Sequence, residues 1–85
     1  MKPTLTREEI VKIIEKRLRG EITQAELARW ADDQFQKWDA DEQVYDERHN
    51  DQIDETIYAL QGCEQPGRQL SEADLRECIA QLTRP

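Results

Sequence analysis

One histidine, two cysteines and no long apolar run set the first limits on this chain. Without about twenty consecutive apolar residues, no segment can cross a bilayer as a helix. The start, Met1-Lys2-Pro3-Thr4-Leu5-Thr6, lacks the apolar core of a secretory signal, and a cytoplasmic location is the expectation. There Cys63 and Cys78 are free thiols, whereas export would make a bridge between them conceivable. Their spacing fits no zinc pattern. No Gly-x-Ser-x-Gly or Walker loop occurs, and no local signature joins His49 to a cysteine, so nucleophilic catalysis has no support. The expectation is a protein that is not an enzyme and carries no cofactor. No segment shows the strict apolar–polar alternation of a half-buried strand.

Apolar residues are also few. They make up 36% of the 85 residues, and charged residues another 36%, against about 25% charged in an ordinary domain. A core this small supplies only a few kcal/mol of stability. A partner or a second copy of the chain would add to it.

Negative charge is what the chain has in excess, and it is concentrated. Between Asp39 and Glu55 lie eight acids and one base, Arg48, which accounts for the whole net charge of −7. The other residues balance, with 11 acids and 11 bases. Such a field attracts a basic partner and repels phosphate, which argues against direct nucleic-acid binding. A basic cluster at the end of the first helix, Lys12, Lys16, Arg17 and Arg19, runs the other way.

One local device occurs three times: an apolar residue, Ser or Thr, two spacers, an acid and an apolar residue. The copies are Leu5-Thr6-Arg7-Glu8-Glu9-Ile10, Ile22-Thr23-Gln24-Ala25-Glu26-Leu27 and Leu70-Ser71-Glu72-Ala73-Asp74-Leu75. Each spells a capping box inside a hydrophobic staple and marks a helix start. The first helix is expected over about 7–19, ending at Gly20, with Ile10, Ile13, Ile14 and Leu18 as its apolar stripe. The second covers about 24–38, with Leu27, Trp30, Ala31, Phe35 and Trp38 on a wide apolar face that Gln34 interrupts. The third is expected over about 41–61, with Ile53, Ile57 and Leu60 aligned. A break near Arg48-His49-Asn50 is the alternative to one continuous helix. After a Pro66-Gly67 loop, the fourth covers about 72–82 with Leu75, Cys78, Ile79 and Leu82 inward. The expected fold is all-α, a small antiparallel bundle of four helices in a single domain, 1–85, with ends 1–4 and 83–85 fraying.

Two constellations are candidates for function. Glu47, Asp51, Asp54, Glu55 and Tyr58 share one stripe of the third helix. They suit docking of a basic protein, with acids in place of phosphates and an aromatic in place of a base; the alternative is a solvated face that keeps the protein soluble. Glu42, Asp46 and His49 have carboxylate–histidine spacing used by metal sites in bundles, but one histidine is too few for a complete ligand set. A calcium loop beginning at Asp39 fails, because Val44 replaces the turn glycine and Asn50 the bidentate glutamate. Trp30, Phe35 and Trp38 are expected in the core or at the contact of a homodimer, and Cys63, beside a turn, at the surface.

Gly20-Glu21-Ile22-Thr23 opening the second helix, Phe35 and Trp38 near its end, the run Ile53-Asp54-Glu55-Thr56-Ile57-Tyr58-Ala59-Leu60, and Leu75-Arg76 give a layout that resembles the small immunity proteins of the colicin D type. The resemblance implies a four-helix protein that binds and blocks a tRNA-cleaving toxin. Glu47, Asp51, Asp54 and Glu55 would then stand in for RNA phosphates in a basic cleft.

Overall fold

The computed structural model describes residues 2–84. Four α-helices carry the fold: α1 (Arg7–Leu18), α2 (Gln24–Asp39), α3 (Asn50–Gln61) and α4 (Glu72–Leu82). Two strands of two residues each, β1 (Thr4–Leu5) and β2 (Val44–Tyr45), pair in parallel, and a single 3-10 turn, Glu47–His49, leads into α3. No helix among the described residues is long and apolar enough to cross a membrane.

The three staples start three helices. Thr6, Thr23 and Ser71 are the N-caps of α1, α2 and α4, and each forms the full reciprocal capping box with Glu9, Glu26 and Asp74. At α4 the Ser71 amide and hydroxyl hold the Asp74 carboxyl below its ordinary range. Gly20 (φ +78°) ends α1. Its N–H donates to Arg17 and the next N–H, of Glu21, to Lys16, the two bonds of a Schellman motif.

The region 41–49 departs from the expected helix. Asp41 takes the left-handed conformation (φ +62°). Its N–H donates to Trp38 and that of Glu42 to Lys37, so α2 ends in a second Schellman motif with Asp at the usual glycine position. The chain then extends. Val44 N–H donates to Pro3 and Asp46 N–H to Leu5, which makes the parallel ribbon. A helix through these residues would have placed one apolar contact, Tyr45, among Glu42, Asp46 and His49. The ribbon instead buries Leu5 and Tyr45, at 2% and 3% exposure, and leaves the acids in solvent or half-buried.

Leu5 and Tyr45 join a core of Ile10, Ile14, Leu27, Ala31, Ile53, Ile57, Leu60, Leu75 and Leu82. Packing is most extensive between α2 and α3, while α1 rests on α4 and α2. Cys63 is fully buried rather than superficial, with its thiol pointing at the Gln24 carbonyl (3.6 Å), and burial pushes its pKa up. Cys78 is half-buried, and both thiols are free. Met1 and Pro85, among the ends expected to fray, lie outside the described residues. Of the other end residues, the Pro3 carbonyl accepts from the Val44 N–H and the Arg84 carbonyl from the Arg7 guanidinium at 3.0 Å, which also reaches the carbonyl of Leu82, the last residue of α4, at 2.7 Å.

Candidate interaction surface

The two faces of α3 are sorted by charge. Ile53, Thr56, Ile57 and Leu60 are buried, at i, i+3, i+4 and i+7. Asp51, Asp54, Glu55 and Tyr58 repeat the same spacing two positions earlier, about 200° around the helix, and all four are exposed. Glu47 is exposed one turn before them, in the 3-10 segment. Thr56 fits the buried face because its hydroxyl donates to the Gln52 carbonyl at 2.8 Å.

The acids of this face form no ion pair among the described residues. Among the described residues the ion pairs are Lys2–Asp41, Arg19–Glu21, Arg76–Glu72 and Arg84–Glu77. Glu21, Asp41, Glu72 and Glu77 thus meet a base, while Glu47, Asp51, Asp54 and Glu55 meet none, like other exposed acids such as Glu8, Glu15 and Glu64. Asp51 and Glu55 are one turn apart, a like-charge spacing that costs a few tenths of a kcal/mol. Arg48 and His49 lie beside the N-terminal end of the stripe, in a shallow groove with Glu47 and Asp51.

The aromatic end is already occupied. Tyr58 is 66% exposed, but the Arg68 guanidinium carbon lies 5.1 Å from its ring centroid. The cation reaches the ring because Pro66-Gly67 turns the chain back, with Gly67 at φ +79° and the Arg68 N–H donating to Gln65. Gly62 leaves the space: a Cβ there would lie 2.6 Å from the same guanidinium carbon. Arg68 was not evident from sequence, where the one signal for it was the Pro-Gly turn.

Tyr45 lies beneath this face. Its phenol oxygen is sealed from solvent without a hydrogen-bond partner, and its pKa is pushed up to about 12, first by burial and then by the charge of Asp54. Its ring stacks on Trp38 (centroids 5.5 Å apart, planes at 14°), and Trp38 is in turn 6.0 Å from Phe35. Trp30 and Phe35 pack against the core half-buried, whereas Trp38 keeps 42% of its surface exposed and Val44 36%.

Glu42, Asp46 and His49 do not share an inward helix face. Glu42 lies in the turn after α2, Asp46 caps the 3-10 segment through the Arg48 N–H, and His49 precedes α3. Among the described residues, no three His, Cys, Asp or Glu side chains are grouped to hold a metal. In comparisons with protein-family models, curated proteins and solved structures, the chain matches none.

Proposed function

We propose that this is a non-catalytic binding protein whose acids Glu47, Asp51, Asp54 and Glu55 dock a basic protein partner. Immunity-like inhibition of a nuclease toxin in the cytoplasm is the specific form of that role, on a helical scaffold arranged as an antiparallel bundle. One observation carries the reading: these four carboxylates lie exposed together along one side of α3 and the turn before it, with no ion pair among the described residues. A partner's lysines and arginines would relieve the repulsion within the stripe, and the field would speed encounter at low salt. Arg68 on Tyr58 moves the acidic part of the surface, rather than the aromatic, to the centre of the contact.

The test is a low-salt pull-down with wild type and Asp51→Lys/Glu55→Lys as paired baits. A basic protein retained by wild type alone, released by salt and inhibited in its nuclease activity, is the expected result. Equal retention by the two baits would overturn the docking role of α3, and a retained partner without nuclease activity would remove the immunity-like form.

A homodimer is the second reading, favoured by the exposure of Trp38 and Val44 at one end of α2 and β2. It requires a species of twice the 10.0 kDa chain mass in sedimentation velocity. A single species of the chain mass at micromolar concentration would dismiss it.

A further inference from the structure

A second surface feature is built differently and stands independently of α3. Between α1, β1 and the middle of α2 lies a cleft of about 310 Å³. Its floor is formed by Leu5 and by two glutamines, Gln34 and Gln43, each only 8% exposed. Ile13 and Trp30, half-buried, are its walls. Lys12 and Lys16, one turn apart on α1 and both exposed, form its lip.

The glutamines explain the interruption in the apolar face of α2. Gln43 Nε2 donates to Gln34 Oε1 at 2.9 Å, the one hydrogen bond that either side chain makes among the described residues. A primary amide of Gln34 and a carbonyl of Gln43 are left over. Rotating both amides exchanges the roles but still leaves one donor and one acceptor. The sealed, unpartnered side-chain polar atoms among the described residues are Arg17 Nε, Tyr45 OH and Gln52 Oε1. The two spare amide atoms are not among them, so they keep an opening, and the cleft that both residues line is that opening. Two nearly buried amides thus present a donor and an acceptor side by side to an incoming ligand.

Two bases and one acid border the cleft. Neither Lys12 nor Lys16 has an acid within 4.0 Å among the described residues. Glu9 also borders the cleft, but its carboxylate is held in the α1 capping box by the Thr6 N–H. With Glu9 counted, the border of the cleft keeps a net charge of +1, next to apolar walls, in a chain of net charge −7. The volume is at the small end for ligand sites, enough for one or two residues and too little for a folded element.

We propose that this cleft captures the free C-terminus of a peptide. The terminal carboxylate lies between Lys12 and Lys16, the last amide unit is read by the Gln34–Gln43 pair, and an apolar last side chain rests on Leu5, Ile13 and Trp30. The two lysines, the glutamine pair and the apolar walls then each have a counterpart, which a bare anion or a purely apolar ligand does not supply.

The test uses the full chain and a panel of N-acetylated dipeptides ending in Leu, Phe or Val, with their C-terminal amides and with acetate as controls. Side-chain amide signals of Gln34 and Gln43 and the Trp30 indole signal are followed by NMR. At least one free acid is expected to bind and shift all three signals. Its amide should bind at least about tenfold more weakly, the loss of one charge-assisted hydrogen bond. Lys12→Glu/Lys16→Glu, at exposed positions that leave the fold intact, should weaken the acid by the same factor or more. Gln34→Leu/Gln43→Leu, checked for folding by circular dichroism, should abolish the preference for an amide-bearing ligand over acetate. Equal binding of acid and amide, equal binding of acetate, or no shift with any acid at about 10 mM, a concentration that detects even millimolar affinity, would each overturn the proposal.

Discussion

Replacing Tyr45 by Phe should stabilise the protein, and the structure says by how much and at which pH. The phenol oxygen is sealed from solvent without a partner, while the ring itself is buried in the core and stacked on Trp38. Phe keeps the ring and its contacts and removes the unmet polar atom. An unsatisfied buried hydroxyl costs roughly 1–3 kcal/mol, and losing the contacts of one oxygen returns part of that, so the net gain is about 1 kcal/mol near neutral pH. In a domain of this size such a gain raises Tm by about 4–8 °C. The gain must grow in alkali. The Tyr45 phenol titrates at about 12 in the folded protein, against about 10 for an unperturbed tyrosine. Below pH ~10 the phenol is protonated in both states and its contribution does not change. Above that, the unfolded chain ionises while the fold holds the proton, so wild-type stability falls as pH rises towards the folded value, by on the order of 2 kcal/mol in total. Tyr45→Phe lacks this loss. Urea melts of both proteins at about pH 8 and about pH 11 read the difference directly, and other titrating groups cancel between them. A variant less stable than wild type at the lower pH would show that the oxygen is hydrogen-bonded in solution. A difference unchanged at the higher pH would refute the account of the raised pKa.

Three further outcomes follow from the caps and the thiols. Thr23→Ala removes the oxygen that accepts from Glu26 N–H and should cost about 1 kcal/mol in a urea melt, without changing the slope. Asp41→Gly relieves a left-handed residue at the end of α2 and gives up only an exposed pair with Lys2, so we expect a gain of about 0.5 kcal/mol by thermal denaturation; a loss above 1 kcal/mol would contradict the C-cap assignment. Burial raises both thiols, so alkylation of the native protein should be slow at pH 8, with Cys78 modified before the fully buried Cys63, as mass spectrometry of the peptides would show; prior modification of Cys63 would place it outside the core.

Three of the four helix starts were legible because a capping box is a local, reciprocal bond pattern written in six residues. The start of α3 was not, because His49 makes no side-chain cap bond and the ribbon before it is only two residues per strand, too short for alternation to register. The stop of α2 was hidden by Asp41, which does at C′ what Gly20 announces openly after α1. The charge of the α3 face could be read from spacing alone, since a helix fixes which residues share a side. What occupies Tyr58 could not, because Arg68 arrives through a loop. Gln34 posed a question that only its distant partner Gln43 answers.

The parallel ribbon has a consequence for how the chain reaches its fold. Thr4 meets Val44 only across both α1 and α2, so the pairing must wait until those helices have brought the two segments together. Closing so long a loop for two short strands returns few hydrogen bonds for the entropy lost, so the expectation is that the ribbon forms after the rate-limiting barrier. On that expectation the ribbon, and with it the burial of Leu5 and Tyr45, acts on the unfolding rate and so on how long the folded molecule lasts, because contacts absent from the transition state act there.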